Sequence, residues 1–151
     1  MKATDLLKKQ HKEVKGLFKK VEKTEDASER RQLMDEIRAA LELHTRLEEE
    51  IFYPAVRDVG TKKAEEMIAE AFEEHHVVDL VLKDLPNVDP EDERFEAKMT
   101  VLSELVEHHV EEEEGEMFKL AQRLGDEELE ELAERMQGQI GGEGSGRQRA
   151  A

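Results

Sequence analysis

The chain has 151 residues and a mass of 17.4 kDa, enough for one domain with a single core; 41% of its side chains are charged and 4% aromatic, which fits long exposed helices and an all-α fold. Its 39 acidic against 23 basic side chains give a formal charge of -16, a field that repels a phosphate backbone and sets nucleic acid aside as a partner. The lack of cysteine excludes disulfides, thiolate zinc, iron–sulfur clusters and thiol nucleophiles, and no apolar run approaches the roughly 18 residues of a membrane span, so a soluble cytoplasmic protein is expected.

Thr4 or Asp5 is expected to cap a first helix whose apolar positions Leu6, Leu7, Val14, Leu17, Phe18 and Val21 recur at helical spacing, with His11 among them. Ser28 is the expected cap of a second helix. Its stripe reads Leu33, Ile37, Leu41, His44, Leu47, Glu48 and Ile51, with Pro54 predicted to kink it and Gly60 to end it. Thr61 opens a third helix on Ala64, Ile68, Ala71, His75, Val78, Leu82 and Leu85, spaced alternately by four and three as in packed antiparallel helices, and Pro86 stops it. Asp89 and Pro90 are expected to start a fourth helix running to about Gly125, with a seam of Val101 or Leu102, Leu105, His109, Glu113 and Met117. A short amphipathic fifth segment from Asp126 carries Leu129, Leu132, Ala133 and Met136. Residues 138–151, rich in glycine, are expected to form a disordered tail.

The two halves repeat. Aligning His11 with His75 superposes Val14 on Val78, Leu17 on Val81, Phe18 on Leu82 and Val21 on Leu85; aligning His44 with His109 superposes Glu48 on Glu113 and Tyr53 on Phe118, with Leu47 on Glu112 as a mismatch. Two such hairpins packed antiparallel bring their His and Glu positions to one level around a pseudo-twofold axis.

His44 with Glu48, and His109 with Glu113, are four residues apart and share a helix face at about 5–6 Å between Cβ atoms, so each pair can reach one ion. His11 and His75 add imidazoles from the other two helices. Burying these groups without a cation would cost several kcal/mol by desolvation, so their joint presence on buried seams points to a metal. Iron, manganese and zinc all suit imidazole nitrogen with carboxylate oxygen. Tyr53 and Phe118 are expected to pack in the core, and the methionines to fill gaps.

The fragments Gln10-His11-Lys12-Glu13-Val14, Leu43-His44-Thr45-Arg46-Leu47-Glu48-Glu49-Glu50 and His108-His109-Val110-Glu111-Glu112-Glu113-Glu114 resemble those of hemerythrin-like proteins of the HHE cation-binding type, over about residues 4 to 137. The resemblance implies an antiparallel up-down four-helix bundle with a short fifth helix, a domain over residues 1–137. It also implies a non-haem di-iron centre: two iron ions, Fe2+ or Fe3+, bridged by oxo or carboxylate groups and held by His11, His44, Glu48, His75, His109 and Glu113. O2, peroxide or nitric oxide is the implied ligand, and sensing or detoxification the implied role; an enzymatic form would be an oxidoreductase or a peroxide-decomposing activity.

The pattern departs from oxygen-carrying hemerythrins in two places. Those use five histidines, two of them four apart on the third helix, whereas Asp79 lies four after His75 and Ala71 four before. They also space the last His and its carboxylate five apart, which would select Glu114 or pair His108 with Glu113. Asp79, His76, His108 or a water is left to complete the shell, which favours redox chemistry or sensing over bulk oxygen transport. A non-catalytic iron-handling or iron-sensing interaction module is the alternative. A ferritin-like carboxylate enzyme would need two Glu-x-x-His motifs, and Glu73 to His76 is the one clear instance.

Overall fold

Seven helices follow one another in the computed structural model, which describes the backbone of residues 1–150 and the side chains of residues 1–142: α1 (Ala3–Lys23), α2 (Ala27–Leu47), α3 (Tyr53–Arg57), α4 (Lys62–Asp84), α5 (Glu93–Glu112), α6 (Phe118–Ala121) and α7 (Asp126–Ala150). One π-helical turn, Glu48–Phe52, runs α2 into α3, and another, Glu113–Met117, runs α5 into α6. In each, a backbone N–H reaches back five residues: Tyr53 to the Glu48 carbonyl and Phe118 to the Glu113 carbonyl. The kink expected of Pro54 is thus a π turn just before it, with Pro54 in the first turn of α3 where its missing N–H costs little.

α1, the α2–α3 rod, α4 and the α5–α6 rod form the antiparallel up-down bundle, α1 packing on α2 and α4 on α5. Gly60 (φ 79°) and Gly125 (φ 91°) end the two rods in the left-handed region, where a side chain would be strained. They occupy matching places in the repeat. Thr61 caps α4 as expected, its Oγ1 accepting from the Ala64 N–H at 3.1 Å.

Three starts differ from expectation. The cap of α1 is Lys2, whose N–H donates to the Asp5 carboxylate at 3.1 Å, and the cap of α2 is Asp26 rather than Ser28. α5 begins at Glu93 because the Asp89 carboxylate is occupied by the Glu91 N–H in a turn, leaving Asp92 to accept from Arg94 N at 2.9 Å.

Two apolar clusters fill the bundle. The upper one holds Val14, Phe18, Leu33, Ile37, Leu41, Val78, Leu82, Phe95 and Leu102; the lower holds Leu6, Leu7, Leu47, Ile51, Phe52, Tyr53, Val56, Ile68 and Phe118. Each fully buried Leu, Ile or Phe among them contributes about 1.5–3 kcal/mol. Of the two seam candidates on α5, Leu102 is buried and Val101 exposed.

α7 lies across the lower end, burying Leu129, Leu132 and Met136 against α1 and the lower cluster. It does not stop at residue 137: Ile140 packs on the lower cluster and Gln139 Nε2 donates to Glu50 Oε2 at 3.0 Å, so the expected boundary falls inside a docked helix. The rest of the expected tail, the side chains of residues 143–150 and all of Ala151, lies outside the described residues. No helix is long and apolar enough to cross a membrane among the described residues.

Candidate metal centre

The upper and lower clusters are separated by one polar layer. His11 on α1, His44 on α2, His75 on α4 and His109 on α5 meet there with Glu48 and Glu113, and all six are buried, the two carboxylates to 1% exposure or less. They form two groups whose donor atoms all lie within 4.8 Å of one another: His11, His44, Glu48 and Glu113 in the first, Glu48, His75 and His109 in the second.

Each carboxylate faces both groups. Glu48 Oε1 is 3.2 Å from His44 Nε2 and 3.1 Å from His75 Nε2; Glu113 places Oε1 3.2 Å from His11 Nε2 and Oε2 3.1 Å from His109 Nε2. The helical spacing of four carries both Glu side chains to the level of their own histidines, and the antiparallel repeat supplies the other two imidazoles from across the bundle.

The outer ring nitrogens fix the protons. His11 Nδ1 lies 2.6 Å from Glu114 Oε2, His75 Nδ1 2.7 Å from Glu49 Oε2, His109 Nδ1 2.8 Å from Glu74 Oε1 and His44 Nδ1 2.6 Å from the Gln10 amide oxygen. Those oxygens, on ionised carboxylates and an amide carbonyl, can only accept, so each Nδ1 carries a hydrogen, and whenever the ring is neutral its lone pair points inward at Nε2. The inward nitrogens also face each other, at 3.1 Å between His11 and His44 and 3.2 Å between His75 and His109. Lone pairs aimed at carboxylate oxygens and at one another repel unless protons or a cation stand between them. Both oxygens of Glu48 and Oε1 of Glu113 have no hydrogen-bond partner, an arrangement that is costly for a buried carboxylate and is satisfied by a metal ion. The residues fit cation binding.

The electrostatics agree. Burial lowers the pKa values of His11, His75 and His109, but their contacts with Glu113, Glu48 and the outer carboxylates more than offset it; all three are raised, His109 to about 12. Burial would raise Glu48, yet the imidazoles gathered around it, His44 foremost, hold it well below the usual carboxylate range.

Tyr53 enters the layer, against the expectation that it only packs. Its hydroxyl donates to Glu113 Oε2 at 2.8 Å and lies 3.2 Å from both His75 Nε2 and His109 Nε2. Burial, then the charges of Glu48 and Glu113, push its pKa well above the phenol's ordinary value, so it keeps its proton. Phe118, at the matching place in the repeat, stacks instead on His11 at 6.4 Å between ring centres.

The other sequence candidates are not brought into the layer. Asp79 pairs with Lys83 at 2.9 Å on the surface, and His76 is exposed. His108 is also exposed, 3.1 Å from Glu112 and 3.7 Å from Glu74. Glu114 sits at the outer face of His11 rather than among the inward donors. Gln10, Glu49 and Glu74 were not anticipated. A signal was present: each outer partner is the chain neighbour of an inward residue, Gln10 before His11, Glu74 before His75, Glu49 after Glu48 and Glu114 after Glu113.

The hemerythrin HHE cation binding domain matches residues 2–121. This chain belongs to that family. An uncharacterised protein of Mycobacterium tuberculosis is 32% identical over 143 residues, 93% of this chain and 86% of the relative. The crystal structure of a hemerythrin HHE cation binding domain-containing protein from Mycobacterium kansasii superposes with a TM-score of 0.81 and 31% identity, covering 93% of this chain and 85% of that one. A DNA nickase of Nostoc is 25% identical over 155 residues, and this chain spans 43% of its length. As a family member, the chain carries five of its six inward residues on the HHE-type fragments, His75 being the sixth, with Tyr53 as a further oxygen at the second group.

Proposed function

We propose that this HHE protein holds two iron ions and binds or reacts with O2 or a related small oxidant, peroxide or nitric oxide, in sensing or detoxification. The observation that carries this reading is the doubled donor set with two carboxylates, Glu48 and Glu113, each facing both groups. Such carboxylates suit a pair of ions rather than one. His11, His44, Glu48 and Glu113 would hold one ion; His75, His109, Glu48 and Glu113 the other, with Tyr53 Oη the nearest further oxygen.

Iron in such a site supplies one-electron chemistry toward small oxidants. The chain's own residues supply the surroundings. Val14, Leu41, Val78, Val106 and Val110 line a small pocket whose exposed surface is entirely apolar and which the four histidines also border. A pocket of that kind admits a diatomic or peroxide-sized guest and excludes larger polar substrates. The Nδ1 partners hold each imidazole in one tautomer, and Tyr53 keeps a hydroxyl proton beside Glu113.

The test is an anaerobic Fe(II) titration with optical spectra before and after air. Uptake of two equivalents, with near-ultraviolet and visible bands that appear on oxidation and bleach on reduction, is expected. Full loading with no such bands overturns oxidant chemistry.

The alternative, an iron-handling or iron-sensing interaction module, draws support from the position of the layer, which separates the two apolar clusters so that occupancy would govern how they are joined. Turnover separates the two readings: a module responds to iron with no consumption of oxidant.

A further inference from the structure

Outside the buried layer, one more set of ligating side chains converges. Glu74 on α4 and His108 and Glu112 on α5 place donor atoms within 4.8 Å of one another at the surface. His108 and Glu112 are four apart on one helix face, with Nε2 and Oε1 3.1 Å apart, the spacing of a two-toothed chelate, and Glu74 Oε2 completes the set from the neighbouring helix.

Two observations separate this set from an ordinary acidic surface. The first is the repeat: the counterparts of Glu74, His108 and Glu112 are Gln10, Leu43 and Leu47, so one hairpin has an imidazole and two carboxylates where the other has a single amide, already engaged by His44. Leu43 and Leu47 belong to the lower cluster that α7 covers, whereas the α4–α5 face is open to solvent; solvation accounts for polar residues there, though not for a His and two carboxylates at ligand spacing. The second is a narrow cleft beside the set. It begins among Glu70, Glu74 and Glu112 and is lined at its inner end by His109 and the buried Glu113. Glu74 spans the two levels, Oε1 on His109 Nδ1 and Oε2 toward His108.

We propose that Glu74, His108 and Glu112 bind a divalent first-row cation at the surface and that the adjoining cleft passes it inward to His109 and Glu113. Three donors, one of them a histidine 63% exposed, make a weak and labile site, as an intake point requires. Mutual repulsion contributes: Glu74 and Glu70 face Glu112, and a cation relieves that charge. Binding at the surface stands alone; delivery rests on the buried occupancy proposed above.

The test uses metal-free full-length protein with Mn2+ as the probe, followed by the electron paramagnetic resonance of the free ion. His108→Ala and Glu112→Gln sit on an exposed face and leave the buried residues in place. The wild type is expected to bind one weak equivalent that both variants lack. Equal stoichiometry in all three overturns the surface site. Stopped-flow loading of the buried positions with Fe2+ under anaerobic conditions is expected to slow about tenfold in both variants with the final loading unchanged; loss of the weak equivalent with an unchanged loading rate overturns the delivery route. If the buried positions take up no metal in any of the proteins, the proposed function fails, while the weak equivalent still reports on the surface site.

Discussion

The Tyr53 hydroxyl donates to Glu113 Oε2 across 2.8 Å, although the two residues belong to different hairpins of the repeat. The counterpart of Tyr53 is Phe118, so a benzyl group in this place is compatible with the fold. Tyr53→Phe is therefore expected to fold and to lower the stability of the metal-free protein by about 1–3 kcal/mol, the cost of withdrawing a donor from a buried carboxylate. Chemical denaturation measures the shift; an unchanged midpoint would show that Glu113 does not depend on the phenol.

Loss of an inward donor acts on loading. His44→Ala and Glu113→Ala are each expected to bring the protein below two bound ions, Glu113→Ala more severely because it faces both groups. Metal analysis of protein reconstituted without oxygen gives the number, and full two-ion loading in either variant would remove that residue from the ligand set.

The outer carboxylates tune the imidazoles without reaching the centre. Glu49→Gln and Glu114→Gln, which leave the shape of the contacts to His75 and His11 unchanged, are expected to weaken metal affinity about 10–100-fold. Competition with a chelator of known affinity reads the change. Equal affinities in wild type and variants would make those contacts incidental.

Chelation and pH follow from linkage. A metal that binds only the folded chain stabilises it by about 2.7 kcal/mol at 100 times its dissociation constant, so the holo form is expected to melt well above the stripped form. The raised pKa values of His11, His75 and His109, the last to about 12, mean that these imidazoles take up protons more readily in the metal-free fold than in the unfolded chain. Their contribution to the stripped fold is complete below about pH 6.5 and fades as pH rises through the folded-state values. Metal uptake displaces those protons, so affinity is expected to rise with pH. Calorimetry in buffers of different ionisation enthalpy counts the protons; no release would contradict the protonation assigned to the metal-free layer.

The helices and the six inward residues were legible because both rest on period. On α4 the spacings of four and three carry Ile68, Ala71, His75, Val78 and Leu82 inward together, and a histidine on such a stripe is exposed as an exception. The outer shell was not legible. Among 39 acidic side chains, Glu49, Glu74 and Glu114 have nothing to mark them except adjacency to an inward residue. Tyr53 has the period of a core residue, and its partner Glu113 is far along the chain, so only the assembled bundle shows which end of the ring carries chemistry. The π turns alter hydrogen bonding without altering composition. The start of α5 was ambiguous because Asp89 and Asp92 are both able to cap, and a local turn decided between them.

The position of the histidine layer also bears on how the molecule comes apart. With a charged waist at mid-height, neither hydrophobic interior reaches across to the other, and each is roofed differently: the lower by α7, the upper by the interhelical turns. Without a cation in that layer, such a chain has reason to open half by half, with amide exchange fast on one side while the other still protects its hydrogens. Loaded as proposed, the same two halves would share donors from all four rods of the bundle and unfold together.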